Sequence, residues 1–140
     1  MNSVHTITKS LSANDTGETG GHQAGILVPK DREILSYFPA LNNSEKNPRV
    51  HLHFKDDAGT KWEFAFIYYN NKFFGGTRNE FRLTRMTPFF RAHNLCQGDE
   101  LLLKKTAEGI RSVTYRRCHE TGLNENGALK LGGGWKVINF

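Results

Sequence analysis

Basic side chains are concentrated in one short stretch of this sequence, residues 72–91. The stretch holds a single acid, Glu80, among five basic residues: Lys72, Arg78, Arg82, Arg85 and Arg91. One seventh of the chain therefore accounts for most of its formal net charge of +5. Arginine and lysine can neutralise phosphates, and arginine can also donate two hydrogen bonds to O6 and N7 of guanine. This composition indicates a protein that binds nucleic acid and distinguishes its sequence.

Two long polar segments, residues 9–23 and 70–80, are rich in hydrogen-bonding side chains. Neither is expected to bury much surface, and loops of this length in a compact domain are usually functional or disordered. Their glycines permit positive φ angles and a close approach of the backbone to a ligand. These glycines are Gly17, Gly20, Gly21, Gly75 and Gly76.

The side chains in these segments are those that read base edges. Asn and Gln can pair with adenine, carboxylates accept from the cytosine amino group, and Lys or His can donate to guanine or phosphate. The predicted base contacts are Asn14, Asp15, His22 and Gln23 in the first segment, with Glu18 as a further acceptor, and Arg78, Asn79 and Glu80 in the second. The predicted backbone contacts and supporting residues are Lys9, Ser10, Ser12, Thr16, Thr19, Lys72, Thr77 and Arg82.

Several of these residues have a second interpretation. An acid such as Glu80 can orient a neighbouring arginine instead of contacting a base. The run Asn14–Gly17 can be a simple turn, because Asx and Gly residues build turns without a ligand. Phe73 and Phe74 can anchor their polar segment or contact a thymine methyl group, and anchoring is the favoured interpretation.

Length and composition limit the class of protein. A chain of 140 residues with 37% hydrophobic residues is expected to form one domain with a real core. It contains no apolar run of membrane-spanning length and no secretory signal, so no membrane partner is expected. Two cysteines without metal-like spacing, Cys96 and Cys118, suggest reduced thiols and a cytoplasmic location. His51 and His53 share a strand face but lack further ligands, so no metal site is predicted.

Alternating hydrophobic residues predict a mainly β fold. Two alternating stretches, residues 50–55 and 61–68, flank a turn at 56–59 and predict a hairpin. Further strands are predicted at 4–8, 25–28, 81–86, 100–106, 110–116 and 134–138, and short helices at 30–37 and 88–93. Many short strands with frequent turns are typical of a small barrel or sandwich.

Two blocks, SANDTGETGGHQAGILVPK (12–30) and YYNNKFFGGTRNEFRLTR (68–85), resemble signature segments of the effector domain of EcoRII-type restriction endonucleases. The resemblance implies a seven-stranded DNA-binding pseudobarrel, an open β-barrel with two short flanking α-helices, which is also found in plant transcription factors. It implies a single domain over residues 1–140. Two arms would grip the major groove of DNA, an N-arm of residues 9–23 and a C-arm of residues 70–82.

The resemblance also implies a function. In EcoRII-like enzymes such a domain binds the site CC(A/T)GG and targets or regulates a separate nuclease domain. The expected partners are therefore double-stranded DNA and a covalently attached nuclease domain. The sequence shows no nuclease motif, so this chain is expected to be a recognition domain without catalysis and without a cofactor, Mg²⁺ being required only by an attached nuclease. The alternatives are a stand-alone transcription regulator of the same fold, a self-contained nuclease, and a single-strand or RNA binder.

Overall fold

The computed structural model describes residues 5–17, 25–117, 129–130 and 134–138. The strands are β1 (His5–Ser10), β2 (Ile26–Val28), β3 (Arg49–Lys55), β4 (Lys61–Tyr69), β5 (Glu80–Thr84), β6 (Glu100–Lys105), β7 (Arg111–Arg116), β8 (Leu129–Lys130) and β9 (Trp135–Ile138). The helices are α1 (Ala13–Thr16), α2 (Arg32–Leu35) and α3 (Thr87–Ala92), with a 3-10 turn over Asn71–Phe74.

All nine strands form one sheet in the order β2-β5-β4-β3-β7-β6-β1-β9-β8. Neighbouring strands are antiparallel except β3 and β7, which meet in parallel at Lys55 and Ser112. The N-arm lies between β1 and β2 in the chain, and the C-arm connects β4 to β5. The N-arm therefore starts at β1, far along the sheet order, and ends at β2, which pairs with β5 at the end of the C-arm.

The predicted hairpin is present as β3 and β4, in register from Arg49 with Ile67 to Lys55 with Lys61. Its turn is shaped by Asp56, whose Oδ1 accepts hydrogen bonds of 2.9 Å from the backbone nitrogens of Ala58 and Thr60. An Asp that accepts from backbone N–H groups two and four residues ahead stabilises a tight turn. The alternation corresponds to one buried face in β3, whereas residues 64–67 of β4 are buried on both faces.

Stacked aromatic rings connect the core to the start of the C-arm. The rings of Phe38 and Phe66 stack with centroids 4.3 Å apart, Phe66 stacks on Phe81 at 5.6 Å, and Phe81 stacks on Tyr68 at 4.2 Å. Phe38 and Phe66 are buried, whereas Phe81 and Tyr68 are half-buried. The strands on both sides of the C-arm are therefore held by packing that continues into the core.

The sheet curls so that strands far apart in its order come together. Trp135 of β9 is fully buried, and its Nε1 donates a 2.9 Å hydrogen bond to the backbone oxygen of Leu27 in β2. β2 and β9 are separated by six strands in the sheet order. A hydrogen bond between them requires the sheet to bend round as an open barrel.

The mainly β pseudobarrel predicted from the sequence is confirmed, and its sheet contains nine strands in the described residues where seven were predicted. Two of the nine, β2 and β8, contain only three and two residues. The helices predicted at 30–37 and 88–93 are present as α2 and α3, and the former is shorter than predicted. α1 was not predicted, because its sequence ANDT was interpreted as a loop. None of the helices in the described ranges is long and apolar enough to cross a membrane.

Replacing Trp135 with alanine tests whether this residue holds the curled sheet together. The side chain is fully buried and joins two distant strands, so Trp135→Ala is expected to lower the free energy of unfolding by about 3–5 kcal/mol. Urea unfolding measures this change. Leu27→Ala is the control, because that side chain is 47% exposed and only its carbonyl makes the contact. A loss below about 1 kcal/mol for Trp135→Ala would contradict the role given to this residue.

Candidate nucleic-acid interface

The N-arm begins later than the sequence suggested. Lys9 and Ser10 belong to strand β1, so the loop starts at Leu11. Leu11 is buried, its backbone nitrogen donates to the oxygen of Asp99, and its own oxygen accepts from the nitrogen of Gly98, each at 2.9 Å. The base of the arm is therefore attached to the turn that precedes β6.

A capping box starts helix α1 and shapes the first half of the N-arm. The backbone nitrogen of Asp15 donates to Oγ of Ser12 at 3.1 Å, and the backbone nitrogen of Ser12 donates to Oδ2 of Asp15 at 3.0 Å. This reciprocal arrangement satisfies amide groups that a helix start leaves without intrahelical partners. Gly17 then ends the helix with a φ of 85°.

An ion pair fixes the capping box to the sheet. Nζ of Lys9 lies 2.9 Å from Oδ2 of Asp15 and also donates to the backbone oxygen of Ser10 at 2.9 Å. Lys9 is only 6% exposed and Asp15 only 7%. The expectation that this polar segment buries little is therefore wrong at these two residues, because each charge has a partner and hydrogen bonds that compensate its loss of water.

The remaining predicted N-arm residues differ in where they lie. Ser10, Ser12 and Asn14 are exposed, and Thr16 is half-buried. Glu18, Thr19, His22 and Gln23 lie outside the described residues.

The C-arm is anchored by an asparagine and not by its aromatic residues. Asn70 is 1% exposed, its Oδ1 accepts from the backbone nitrogen of Asn47 at 2.7 Å, and its Nδ2 donates to the oxygen of Glu45 at 2.8 Å. Phe73 and Phe74, by contrast, are 65% and 43% exposed. The favoured interpretation of these phenylalanines as anchors is therefore wrong.

The tip of the C-arm is a closed turn. The nitrogen of Lys72 donates to the oxygen of Arg78 at 2.8 Å, and the nitrogen of Gly76 donates to the oxygen of Asn71 at 2.8 Å. Gly75 has a φ of 90°, and a Cβ on Gly76 would lie 2.7 Å from Cβ of Asn71. Both glycines are required by the turn itself, one for its backbone angle and one for lack of space.

Glu80 holds two arginines in place at the base of the C-arm. Its Oε2 lies 3.0 Å from Nη2 of Arg78 and accepts a short hydrogen bond from Nε of Arg82. The guanidinium of Arg78 lies over the ring of Tyr69, 3.8 Å from its centroid, which adds a cation–π contact. The second interpretation of Glu80, as a residue that orients arginine, corresponds to this geometry. The hydrogen bond from Arg82, followed by that from Arg78, lowers the pKa of the Glu80 carboxyl.

Arg82 also connects the C-arm to the N-arm. Its Nη1 donates a 2.8 Å hydrogen bond to the backbone oxygen of Gly25, the residue where the N-arm rejoins the described chain. Gly25 has a φ of 98°, and a Cβ there would lie 2.6 Å from Cγ2 of Thr84. One arginine therefore fixes the base of both arms to the same pair of strands, β5 and β2.

Two tyrosines that were not predicted as site residues, Tyr68 and Tyr69, complete the C-arm. The hydroxyl of Tyr68 donates to Oδ1 of Asn79 at 2.6 Å, and the ring of Tyr69 supports Arg78. The position of a Tyr pair directly before the polar segment was a usable signal, but alternation assigned only Tyr68, as a core residue. Lys72 and Thr77 are exposed beside them, whereas Arg78 and Asn79 are half-buried.

The lowered pKa of Glu80 makes a pH-dependent prediction. A carboxyl whose pKa falls on folding stabilises the protein above its ordinary value of 4.5, and this contribution disappears as the pH falls through the lowered folded pKa. Wild type is therefore expected to be more stable than Glu80→Gln at neutral pH, by a margin that shrinks below about pH 4.5. Urea unfolding of both proteins from pH 3 to pH 8 measures the margin. A margin that stays constant over this range would contradict the ionic role.

The buried ion pair of the N-arm makes a second prediction. Asp15→Ala leaves Lys9 buried without its carboxylate and removes the cap of α1, so it is expected to destabilise the fold by about 3–5 kcal/mol. Thermal and urea unfolding measure the loss. Ser10→Ala, a change at an exposed residue next to Lys9, is the control and is expected to stay within about 0.5 kcal/mol of wild type. Equal stability of the two variants would show that the pair is not structural.

Comparisons with known proteins agree with this architecture. Residues 1–125 match the family model described as restriction endonuclease EcoRII, N-terminal. The type II restriction enzyme EcoRII of Escherichia coli is 48% identical over 80 residues, which cover 55% of this chain and 20% of that enzyme. A putative B3 domain-containing protein of Oryza sativa subsp. japonica is 29% identical over 119 residues, covering 84% of this chain and 36% of the relative.

The fold is also similar to a solved structure. A chain of the Arabidopsis FUS3–DNA complex superimposes with a TM-score of 0.61 and 20% identity, covering 79% of this chain and 95% of that one. This chain spans about a fifth and just over a third of the length of the two sequence relatives. The family model, however, covers most of the chain, and on this basis the chain belongs to the family of EcoRII N-terminal domains.

Proposed function

We propose that this chain recognises a specific sequence in double-stranded DNA through the major groove. It would serve as the effector or targeting domain of a type II restriction endonuclease with an EcoRII-like CC(A/T)GG target. The observation that carries the proposal is the Glu80 network, in which one carboxylate holds two arginines at the base of the C-arm and Arg82 extends to the N-arm. Family membership and the fold of the FUS3–DNA complex support it.

Arg78 is the main base-reading residue in this proposal. A guanidinium has five N–H donors, and the hydrogen bond to Glu80 engages a single nitrogen of Arg78, Nη2. The contact with Tyr69 and the bond to Glu80 restrict the side chain before DNA arrives, so less conformational entropy is lost on binding. A restrained guanidinium suits bidentate donation to O6 and N7 of guanine, which occurs in both halves of CC(A/T)GG.

The acids of the arms act as positioning residues. Glu80 is engaged by two guanidinium groups and Asp15 by Lys9 and the Ser12 amide, so each carboxylate is partly neutralised within the protein. This explains how acids are tolerated on a surface that approaches phosphates. Asp15 and Lys9 therefore become structural residues of the N-arm in this proposal, and Glu80 orients Arg78 and Arg82.

The other predicted contact residues differ in how far their side chains are exposed. Asn79 accepts from Tyr68 through Oδ1, so its amide nitrogen supplies its contribution to a base edge. Asn14 is the exposed base-contact candidate of the described N-arm, and Ser10, Ser12, Thr16, Lys72 and Thr77 are candidates for contacts to the DNA backbone. Arg85 and Arg91 are exposed and suit flanking phosphates. Glu18, Thr19, His22 and Gln23 remain proposed contacts from the sequence.

The parent protein is proposed to carry a nuclease domain that requires Mg²⁺. A stand-alone transcription regulator is the second candidate, favoured by the similarity to the B3 domain-containing protein. Plasmid cleavage separates the two: the parent protein with Mg²⁺ should cut DNA at its site, whereas a regulator should bind without cutting. Cleavage by this chain alone would instead support a self-contained nuclease.

The role of Arg78 is testable by competition binding. Arg78→Ala is expected to weaken binding to a CC(A/T)GG duplex by about 1–3 kcal/mol and to relax the preference at one base pair. A mobility-shift competition against scrambled duplex at one fixed salt concentration measures both effects, because phosphate contacts depend strongly on salt. A single-stranded competitor in the same assay separates duplex binding from the single-strand alternative.

Lys61→Ala is the matched control for the loss of one positive charge. Lys61 is exposed and begins β4, whereas the C-arm follows the other end of that strand, about 26 Å away. It is expected to leave the preference for the cognate duplex unchanged. An equal loss of affinity for cognate and scrambled duplex in Arg78→Ala would assign Arg78 to phosphate contact and refute its base-reading role.

A further inference from the structure

The outer face of β3 presents a line of basic side chains that starts at the base of the C-arm. Leu52 and Phe54 of this strand are buried in the core, and the residues that alternate with them point to the opposite face. These outward residues, all four of them exposed, are Arg49, His51, His53 and Lys55. They form the β3 track, which is about 20 Å long because a strand rises by about 3.4 Å per residue.

The β3 track adjoins the proposed recognition surface. The backbone nitrogen of Asn47 donates to Oδ1 of Asn70, the anchor of the C-arm, and Arg49 follows two residues after Asn47. In the sheet Arg49 pairs with Ile67, and Ile67 pairs with Arg82. Directly paired residues share one sheet face, so Arg49 lies on the face of Arg82, with their Cα atoms about 10 Å apart across two strand spacings. The track therefore continues the face that carries Arg82 and leads away from the C-arm along β3.

The two ends of the track carry charges that the protein does not compensate. Neither the guanidinium of Arg49 nor the ammonium of Lys55 makes a hydrogen bond or an ion pair with the described residues. Lys55 also lies directly opposite Lys61 of β4, and like charges at such positions repel one another. A bound anion would relieve this repulsion, so the track favours an anionic partner.

One acid lies beside the middle of the track. Glu63 of β4 pairs with His53 in the sheet, and its carboxylate contacts Nδ1 of His51 and lies 3.8 Å from Nε2 of His53. The two imidazoles are charged only when protonated. The attraction for an anion therefore comes from Arg49 and Lys55, and Glu63 weakens it.

We propose that the β3 track binds the phosphate backbone of duplex DNA outside the recognised site. The inference rests on the proposed function, since the arms must hold the duplex for its flank to reach β3. Duplex DNA matches the track because each strand carries one phosphate per about 3.4 Å of helix axis, so the track spans about six base pairs. The arms read the base pairs of the site, and the track adds affinity that does not depend on sequence.

The experiment varies the length of DNA beside the site. Fluorescence anisotropy at salt concentrations from about 50 to 200 mM measures binding of this chain to a short CC(A/T)GG duplex, with about two base pairs on each side of the site, and to a long one, with about eight. Two phosphate contacts, one each from Arg49 and Lys55, are expected to steepen the slope of log affinity against log salt by about 1.8 for the long duplex. The preference for the long duplex should therefore fall about tenfold over this salt range.

Variants test whether the track is responsible. Arg49→Ala and Lys55→Ala are each expected to lower the slope difference by about 0.9, and the double variant to abolish it. Glu63→Gln removes the opposing acid and is expected to strengthen binding to the long duplex alone, a gain that a damaged fold would not produce. Arg32→Ala removes an exposed arginine of α2, outside the track, and should keep the wild-type slope difference. All four side chains are exposed, so the unfolding midpoints should match wild type.

The outcomes separate this inference from the proposed function. Wild type that prefers CC(A/T)GG over scrambled duplex but binds the short and long duplexes equally would overturn the inference alone and leave an acidic protein surface as the candidate partner of the track. A double variant that keeps the wild-type slope difference, or Glu63→Gln that binds the long duplex no more tightly, would also overturn the inference alone. Wild type that shows no preference for CC(A/T)GG over scrambled duplex would overturn the proposed function and this inference with it.

Discussion

One guanidinium connects the bases of the two arms. Arg82 donates through Nε to Glu80 and through Nη1 to the backbone oxygen of Gly25, so it joins the base of the C-arm to the residue where the N-arm re-enters the sheet. The planar guanidinium presents donors in fixed, diverging directions, which lysine cannot do. The close approach also depends on Gly25, since a Cβ there would collide with Thr84. The relative position of the two arms at their bases is therefore set by hydrogen bonds on paired strands.

The arms are polar in composition but ordered at the points that determine their shape. Lys9 and Asp15 are buried as an ion pair, and Asn70 is buried with both ends of its amide hydrogen-bonded. An unpartnered polar group at such a position would destabilise the fold. Each of these buried groups is instead paired with an opposite charge or hydrogen-bonded. In their described residues, both arms thus have a base held by buried polar contacts and an exposed set of side chains beyond it. Pre-organisation of this kind favours specific recognition over general attraction to charge.

Structure is predictable from the sequence where neighbouring residues determine it. Strict alternation predicted the β3–β4 hairpin, because successive side chains on a strand point to opposite faces of the sheet. The prediction was wrong for Phe73 and Phe74, where anchoring was favoured over contact with a thymine methyl group although both side chains are exposed. Asn70 has the anchoring role through partners 23 and 25 residues earlier in the chain, and no local pattern shows such contacts. Helix α1 was missed because its stability comes from a capping box and a buried lysine more than from an apolar face.

The sequence by itself determined the class of fold and the family resemblance, and it singled out the two segments that are proposed to contact DNA. These depend on residue types and short-range periodicity, which are present in the sequence. Only the tertiary structure decided which side chains within those segments are buried in structural contacts and which are exposed. Asp15 and Asn14 are adjacent in sequence, yet one is buried against Lys9 and the other is exposed. The reason is that burial and pairing depend on which strands become neighbours when the sheet curls, and this long-range geometry is set by the packing of the whole chain.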